Sequence, residues 1–289
     1  MRKLLPYFLI LIKITAALLA SLSIAALAAV SVLGLPAKEQ SPKDYVNGIC
    51  QKVKSSVDAH LPCPDEFGDG MERPSNRKAL WSVIRTLCIP ASYVGISFPC
   101  LRTDRAGGYA VIRAPSRSRL DLIIAPTTFI EGTESLYRLK TAPPNLWNAG
   151  WISRDLLTAA AGRKLAWDEI ILAVNSKTTR SQDHLHIHLG CIDRKLQNFI
   201  ATEALSTASD WRIAPTEIIS PGVFIKFLNR DAINSDPFDI IKKEIPGSEK
   251  FAAEQTIALA GVTRGSFEGF ALIVTLVPVA AERFLAPNC

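Results

Sequence analysis

His184-Leu185-His186-Ile187-His188-Leu189 is the stretch on which the reading of this chain turns. Imidazole and aliphatic side chains alternate, the period-2 signature of a strand, so positions i, i+2 and i+4 share one face. The three imidazoles then line one surface while Leu185, Ile187 and Leu189 enter the core. Three of the four histidines in 289 residues fall within five positions, and such clustering asks for a chemical reason. The fourth, His60, stands apart and takes no role.

Three explanations compete. A purely structural strand would waste packing on three polar rings. A zinc site accepts histidines at i and i+2 on a strand, but it usually recruits a further ligand, and no dense acidic motif or CxxC pair is present. A histidine nucleophile is the third. Neutral imidazole attacks phosphorus and forms a labile phosphoramidate, which splits hydrolysis of a phosphoanhydride into two easier steps. Flanking histidines can then donate hydrogen bonds to the phosphoryl oxygens and help protonate the departing group. The preceding polar loop, Asn175–Asp183, supplies further donors in Asn175, Arg180, Ser181 and Gln182, which makes them candidate phosphate-binding residues.

Outward from this motif the pattern mixes both element types. Helical spacing marks Arg77–Leu87, closed by Pro90, and Asn145–Ala161, stopped by Gly162. Tyr109–Arg113 and Leu120–Ala125 predict a hairpin, and Glu169–Val174 a strand that feeds the polar loop. Further on, Val223–Leu228 and Phe270–Val277 read as strands, whereas Pro237–Lys243 and Phe251–Ala260 read as helices. Without regular βαβ spacing, the expected class is α+β with an antiparallel sheet and packed helices. Trp147 and Trp151 lie about one helical turn apart, suited to helix core or to contact with a lipid or nucleobase, of which core is the simpler expectation.

The N-terminus is different in kind. Ile14 to Ala37 is a run of 24 residues without a charge. At about 1.5 Å per residue it reaches about 36 Å, enough for a hydrocarbon core of about 30 Å. Arg2, Lys3 and Lys13 precede the run, so the positive-inside rule puts the N-terminus in the cytoplasm and the body outside. A cleaved signal peptide competes, with Ala26-Leu27-Ala28 as its small-x-small site, but the run exceeds the usual length. The expected division is 1–13 cytoplasmic, 14–36 transmembrane anchor, 37–76 linker and stapled segment, and 77–289 the domain that carries the three histidines.

All six cysteines lie beyond the anchor, an even number that reads as disulfides in an oxidising compartment. Proximity favours Cys50–Cys63 and Cys88–Cys100, which leaves Cys191–Cys289, although sequence alone allows fifteen connectivities. With 21% charged residues and a mean hydropathy of +0.18, the chain is neither disordered nor low in complexity. Three of the six net positive charges belong to the N-terminal segment, and the remainder is too dispersed for a nucleic-acid groove.

The longer string Ala173-Val174-Asn175-Ser176, Arg180-Ser181-Gln182, His184-Leu185-His186-Ile187-His188 and Cys191 resembles the CDP-diacylglycerol pyrophosphatases, a branch of the histidine triad superfamily. Leu80-Trp81, Cys88 with Pro90, Pro99-Cys100, Gly108-Tyr109, Pro126-Thr127, Gly132-Thr133-Glu134-Ser135 and Pro144-Asn145 with Trp147, Trp151 and Arg154-Asp155 extend the likeness from about Leu80 to Cys191. The resemblance implies His186 as nucleophile, His184 and His188 as its flanking pair, and Asn175 and Ser181 at phosphate-binding positions. It also implies hydrolysis of CDP-diacylglycerol to CMP and phosphatidate through a cytidylyl-histidine, with no cofactor and no obligatory metal. The implied setting is a bacterial inner membrane with the catalytic domain periplasmic, the lipid substrate as partner, no nucleic acid, and a possible homodimer. Soluble nucleotide substrates, or a non-catalytic zinc- or lipid-binding module, stand as the alternatives.

Overall fold

A computed structural model describes residues 76–115, 120–204, 210–214, 223–245, 248–275 and 278–289. All of these fall within one compact unit, Ile49–Cys289. The expected anchor at 14–36, the cytoplasmic segment and the Cys50–Cys63 pair lie outside the described residues. Among the described residues no helix is long and apolar enough to cross a membrane.

Among the described residues nine strands form one antiparallel sheet: β1 (Arg102–Asp104), β2 (Tyr109–Arg113), β3 (Leu122–Pro126), β4 (Ile170–Val174), β5 (Ile187–Cys191), β6 (Arg212–Ala214), β7 (Val223–Asn229), β8 (Ile257–Arg264) and β9 (Phe267–Thr275). Their spatial order is β1-β2-β3-β5-β4-β8-β9-β7-β6, every pairing antiparallel, in agreement with the α+β expectation. The expected hairpin forms with Tyr109 opposite Pro126 and Arg113 opposite Leu122.

The central strands are apolar on both faces because both faces are covered. On one face, Leu172, Leu189, Leu259 and Phe270 pack with Trp147, Trp151 and Leu157 from the helices Leu146–Ile152 and Arg154–Ala161. Trp147 and Trp151 are therefore helix core rather than ligand contacts, with 0% and 3% of their surface exposed. On the other face, Ala173, Ala258, Ala260 and Ile273 pack with Leu196 and Ile200 of the helix Arg194–Glu203 and with Phe284. That second face also carries a separate cluster, in which Leu80, Ile84 and Cys88 meet Ile123 and Ala125. Between these two clusters runs the histidine side of β5.

Four sequence expectations need correction. The helix over 145–161 is two helices that meet at Ser153, with Asn145 capping the first through Asn148 N–H and Gly162 ending the second at φ +68°. Pro90 does not close the helix that begins near Arg77, which runs on to Tyr93. A wide π turn at Ile84–Cys88 precedes the proline and changes the hydrogen-bond register where its N–H is missing. The strand begins at Ile187, with His184 to His186 leading into it as non-strand backbone. Finally, Phe251–Ala260 is not one helix. A short helix ends at Phe251, and Ile257–Ala260 opens β8, held between β4 and β9. Alanines at 258 and 260 favour a helix by propensity, but burial of alternate residues on two faces overrides that preference.

Among the described residues two disulfides join Cys88 to Cys100 and Cys191 to Cys289, across separations of 12 and 98 residues, as expected. By loop-closure entropy, replacing Cys191 and Cys289 with Ser is expected to cost about 4–5 kcal/mol, against about 3 kcal/mol for the Cys88–Cys100 pair. Denaturant unfolding of the two double variants checks the ranking.

Candidate active site

β5 sits between β3 and β4, with His188 opposite Ile123 on one neighbour and Ala173 on the other. Since Leu185, Ile187 and Leu189 belong to the helix-covered core, the three imidazoles turn towards the opposite face. All three are buried, at 0% for His184 and 4% for His186 and His188.

Each ring has its own chemical state. His186 Nδ1 lies 2.6 Å from the carbonyl oxygen of His184. A carbonyl can only accept, so Nδ1 carries the proton and the lone pair stands on Nε2. Burial first, and then repulsion from His188, push the His186 pKa down to about 3, so the ring is neutral at pH 7. His184 Nε2 likewise donates to Pro126 O at 3.0 Å, and burial lowers its pKa to about 4. Its Nδ1 is buried and makes no hydrogen bond. The His184 ring packs against Trp81, centroids 5.0 Å apart, and stacks on Phe129 at 5.8 Å with an 11° interplanar angle.

His188 behaves oppositely. Its Nδ1 lies 3.2 Å from Asp121 Oδ1 and its Nε2 lies 3.4 Å from Glu282 Oε1. Burial would lower its pKa, but the Asp121 hydrogen bond and the charges of Asp121 and Glu282 outweigh that and raise it. The site thus pairs a neutral ring presenting a lone pair with a ring disposed to carry a proton, their centroids 5.2 Å apart.

Of the four loop donors expected at a phosphate, Asn175 alone is shown within hydrogen-bonding distance of a triad ring. Its Oδ1 accepts from Ala281 N–H at 2.7 Å and from Thr179 Oγ1 at 3.0 Å. Those two donors fix the amide orientation, so Nδ2 faces His188 Nε2 at 3.4 Å and the Glu282 carboxylate at 3.2 Å. The Arg180 guanidinium is held by carboxylates. It donates to Glu134 at 2.7 and 2.8 Å and to Asp183 at 3.0 Å, and it approaches Glu131 at 3.4 Å. A Cβ at Gly132 would fall 1.9 Å from Arg180 Nη1, so this cage needs glycine there. Asp183 is gripped by Arg77 as well, which holds its carboxyl at a pKa of about 2. Gln182 ties the loop to the helix start by accepting from Leu80 N–H, and Ser181 is exposed beside it.

Sequence reasoning missed Asp121 and Glu282. Asp121 is hidden in the apolar run that leads into β3. Glu282 comes from a short 3-10 turn, Ala281–Phe284, almost a hundred residues beyond the motif, and nothing in its local sequence announces a site. Among the described residues no group of three or more His, Cys, Asp or Glu is arranged to hold a metal ion. Four of the six imidazole nitrogens of the triad are directed at Pro126 O, His184 O, Asp121 and Glu282.

Residues 75–287 match the family model described as CDP-diacylglycerol pyrophosphatase. A relative from Yersinia pestis named CDP-diacylglycerol pyrophosphatase is 26% identical over 222 residues, covering 75% of this chain and 86% of that protein.

Removing the Asp121 charge is expected to reverse the perturbation of His188. In 13C-edited NMR titrations, wild-type His188 should titrate above the ordinary imidazole value and Asp121→Asn should bring it below. Because the raised pKa belongs to the folded state, the stabilisation that His188 draws from Asp121 is complete below the unfolded imidazole pKa. It is lost as pH rises through the folded value.

Proposed function

The chain belongs to the CDP-diacylglycerol pyrophosphatase family, and from that premise we propose that it hydrolyses CDP-diacylglycerol to CMP and phosphatidate by way of a cytidylyl group carried on His186. The observation that carries the reading is the 2.6 Å bond from His186 Nδ1 to His184 O, which leaves Nε2 as a fixed, unprotonated nucleophile.

In the first half, Nε2 attacks the phosphorus on the cytidine side, a P–N bond forms and the P–O bond to phosphatidate breaks. His188, whose pKa is raised, supplies a proton to the departing oxygen through Nε2. Asn175 Nδ2, already beside that nitrogen, is placed to donate to a non-bridging oxygen. In the second half, water attacks the same phosphorus, the P–N bond breaks and its electron pair returns to Nε2. Nδ1 keeps its proton throughout, so His186 leaves as the neutral imidazole that entered. Buried and free of conformational choice, the ring requires little reorganisation between steps.

The proposal extends to membership of the histidine triad superfamily and to location. We read residues 14–36 as a single-pass anchor in a bacterial inner membrane, with the N-terminus cytoplasmic and the hydrolase outside. Support comes from the uncharged run Ile14 to Ala37, the basic residues before it and two disulfides in the body. Tethering would confine enzyme and lipid head group to one interface and raise their effective concentration.

With CDP-diacylglycerol labelled on the cytidine-side phosphate, acid-sensitive and base-stable label is expected on His186 after quenching. His186→Ala should lose more than about 10³-fold in turnover and all of the label, while His184→Ala and His188→Ala should retain residual activity, down about 10²–10³-fold. Wild-type turnover in His186→Ala would overturn the assignment.

A further inference from the structure

Glu282 approaches the site from a strap, the 3-10 turn Ala281–Phe284 and the residues after it, that brings its carboxylate beside His188. The strap is fastened by bonds that do not use the Glu282 side chain: Ala281 N–H to Asn175 Oδ1 at 2.7 Å, Asp193 N–H to Phe284 O at 2.8 Å and Ala286 N–H to Cys191 O at 2.8 Å. Phe284 is fully buried under it, and the Cys191–Cys289 disulfide closes its end. The carboxylate itself is surplus to this fastening. It is 49% exposed, yet it lies 3.4 Å from His188 Nε2 and 3.2 Å from Asn175 Nδ2. The two side chains expected to meet substrate oxygens therefore converge, in the free enzyme, on one half-solvated carboxylate.

The position is informative. If His188 Nε2 protonates the departing phosphatidate oxygen, that oxygen must lie where Glu282 now lies, and substrate must displace the carboxylate. In-line displacement at the same phosphorus brings water to the position that the leaving group has vacated. The carboxylate that returns to His188 Nε2 thus meets the incoming water, on the side open to solvent.

We propose that Glu282 is the base that deprotonates water in the second half of the reaction, and so commits the cytidylyl-enzyme to hydrolysis; this rests on the covalent reading given above. Water gives its proton to the Glu282 carboxylate as its oxygen bonds to phosphorus and the P–N bond to His186 breaks. Glu282 then passes that proton across the contact to His188 Nε2, which replaces the one given to phosphatidate. The cycle closes with one water consumed and no other proton source.

The test is rapid-quench kinetics of the full-length chain on phosphorus-labelled CDP-diacylglycerol in mixed micelles, comparing wild type with Glu282→Gln. The variant should release phosphatidate in a burst of one per active site, then turn over about 10²–10³-fold more slowly than wild type while cytidylyl-His186 accumulates. The burst also reports that the variant is folded. Release of CMP at the wild-type rate, or slowing of both halves together, would overturn the role of Glu282. Absence of labelled enzyme in both proteins, with CMP still formed by wild type, would remove the covalent reading and this inference with it.

Discussion

Everything in the site depends on where β5 is pinned. Its flanking strands bond it on both edges, with Leu189 opposite Leu122 and Leu172, and its leucine–isoleucine side is sealed under the tryptophan-bearing helices. A slip of one residue would turn His188 into that apolar layer and carry Ile187 and Leu189 out of it, so the register is held by the whole core. The same pairing sets His188 against the small Ala173, which leaves the ring room on its face. Backbone constraint then does the rest: with the chain direction fixed at His184, its carbonyl is within reach of His186 Nδ1, and one nitrogen is chosen for chemistry.

Two rings separated by a single residue are driven to opposite states by what surrounds them. Desolvation acts on both His186 and His188. His186 loses most to that burial and next to its cationic neighbour, its bond to the His184 carbonyl offsets only part of this, and the ring stays uncharged. His188 meets carboxylates at both nitrogens and is pulled the other way. Arg180 adds a further positive charge whose field lowers the His186 pKa. Its own charge is balanced by Glu134, Asp183 and Glu131, so the loop contributes rigidity more than net charge. Such a division suits a reaction that needs a lone pair and a proton side by side.

The histidine face was legible because alternation is a local signal and three repeats exclude a helix. The β2–β3 hairpin and the helix stop at Gly162 were legible for the same reason: each is decided within a few residues. β8 was not, since Ala258 and Ala260 carry a helix-forming signal that only burial between β4 and β9 can overrule. The carboxylate cage of Arg180 was not legible either, since its partners Glu131 and Glu134 lie nearly fifty residues earlier in the chain. Asp121 and Glu282 belong to the same class of long-range facts. Their partner, His188, is reached only through strand pairing and a C-terminal strap, and no spacing rule encodes either.

The strap also gives the long disulfide a place in the argument. Cys191 ends the strand that holds His188, and Cys289 lies seven residues beyond Glu282. The bond between them therefore joins the two segments whose side chains meet at His188 Nε2. Strands β6 to β9 widen the sheet by four strands and then deliver the chain back across the triad, where Ile192 and Leu285 form an isolated bridge. Were this return held only by the 3-10 turn, with its few backbone bonds, local opening would separate Glu282 and Ala281 from Asn175 and His188 at little cost. A covalent closure beyond the turn lowers the freedom of the opened strap. It preserves the approach of a carboxylate that has to leave and return with each substrate.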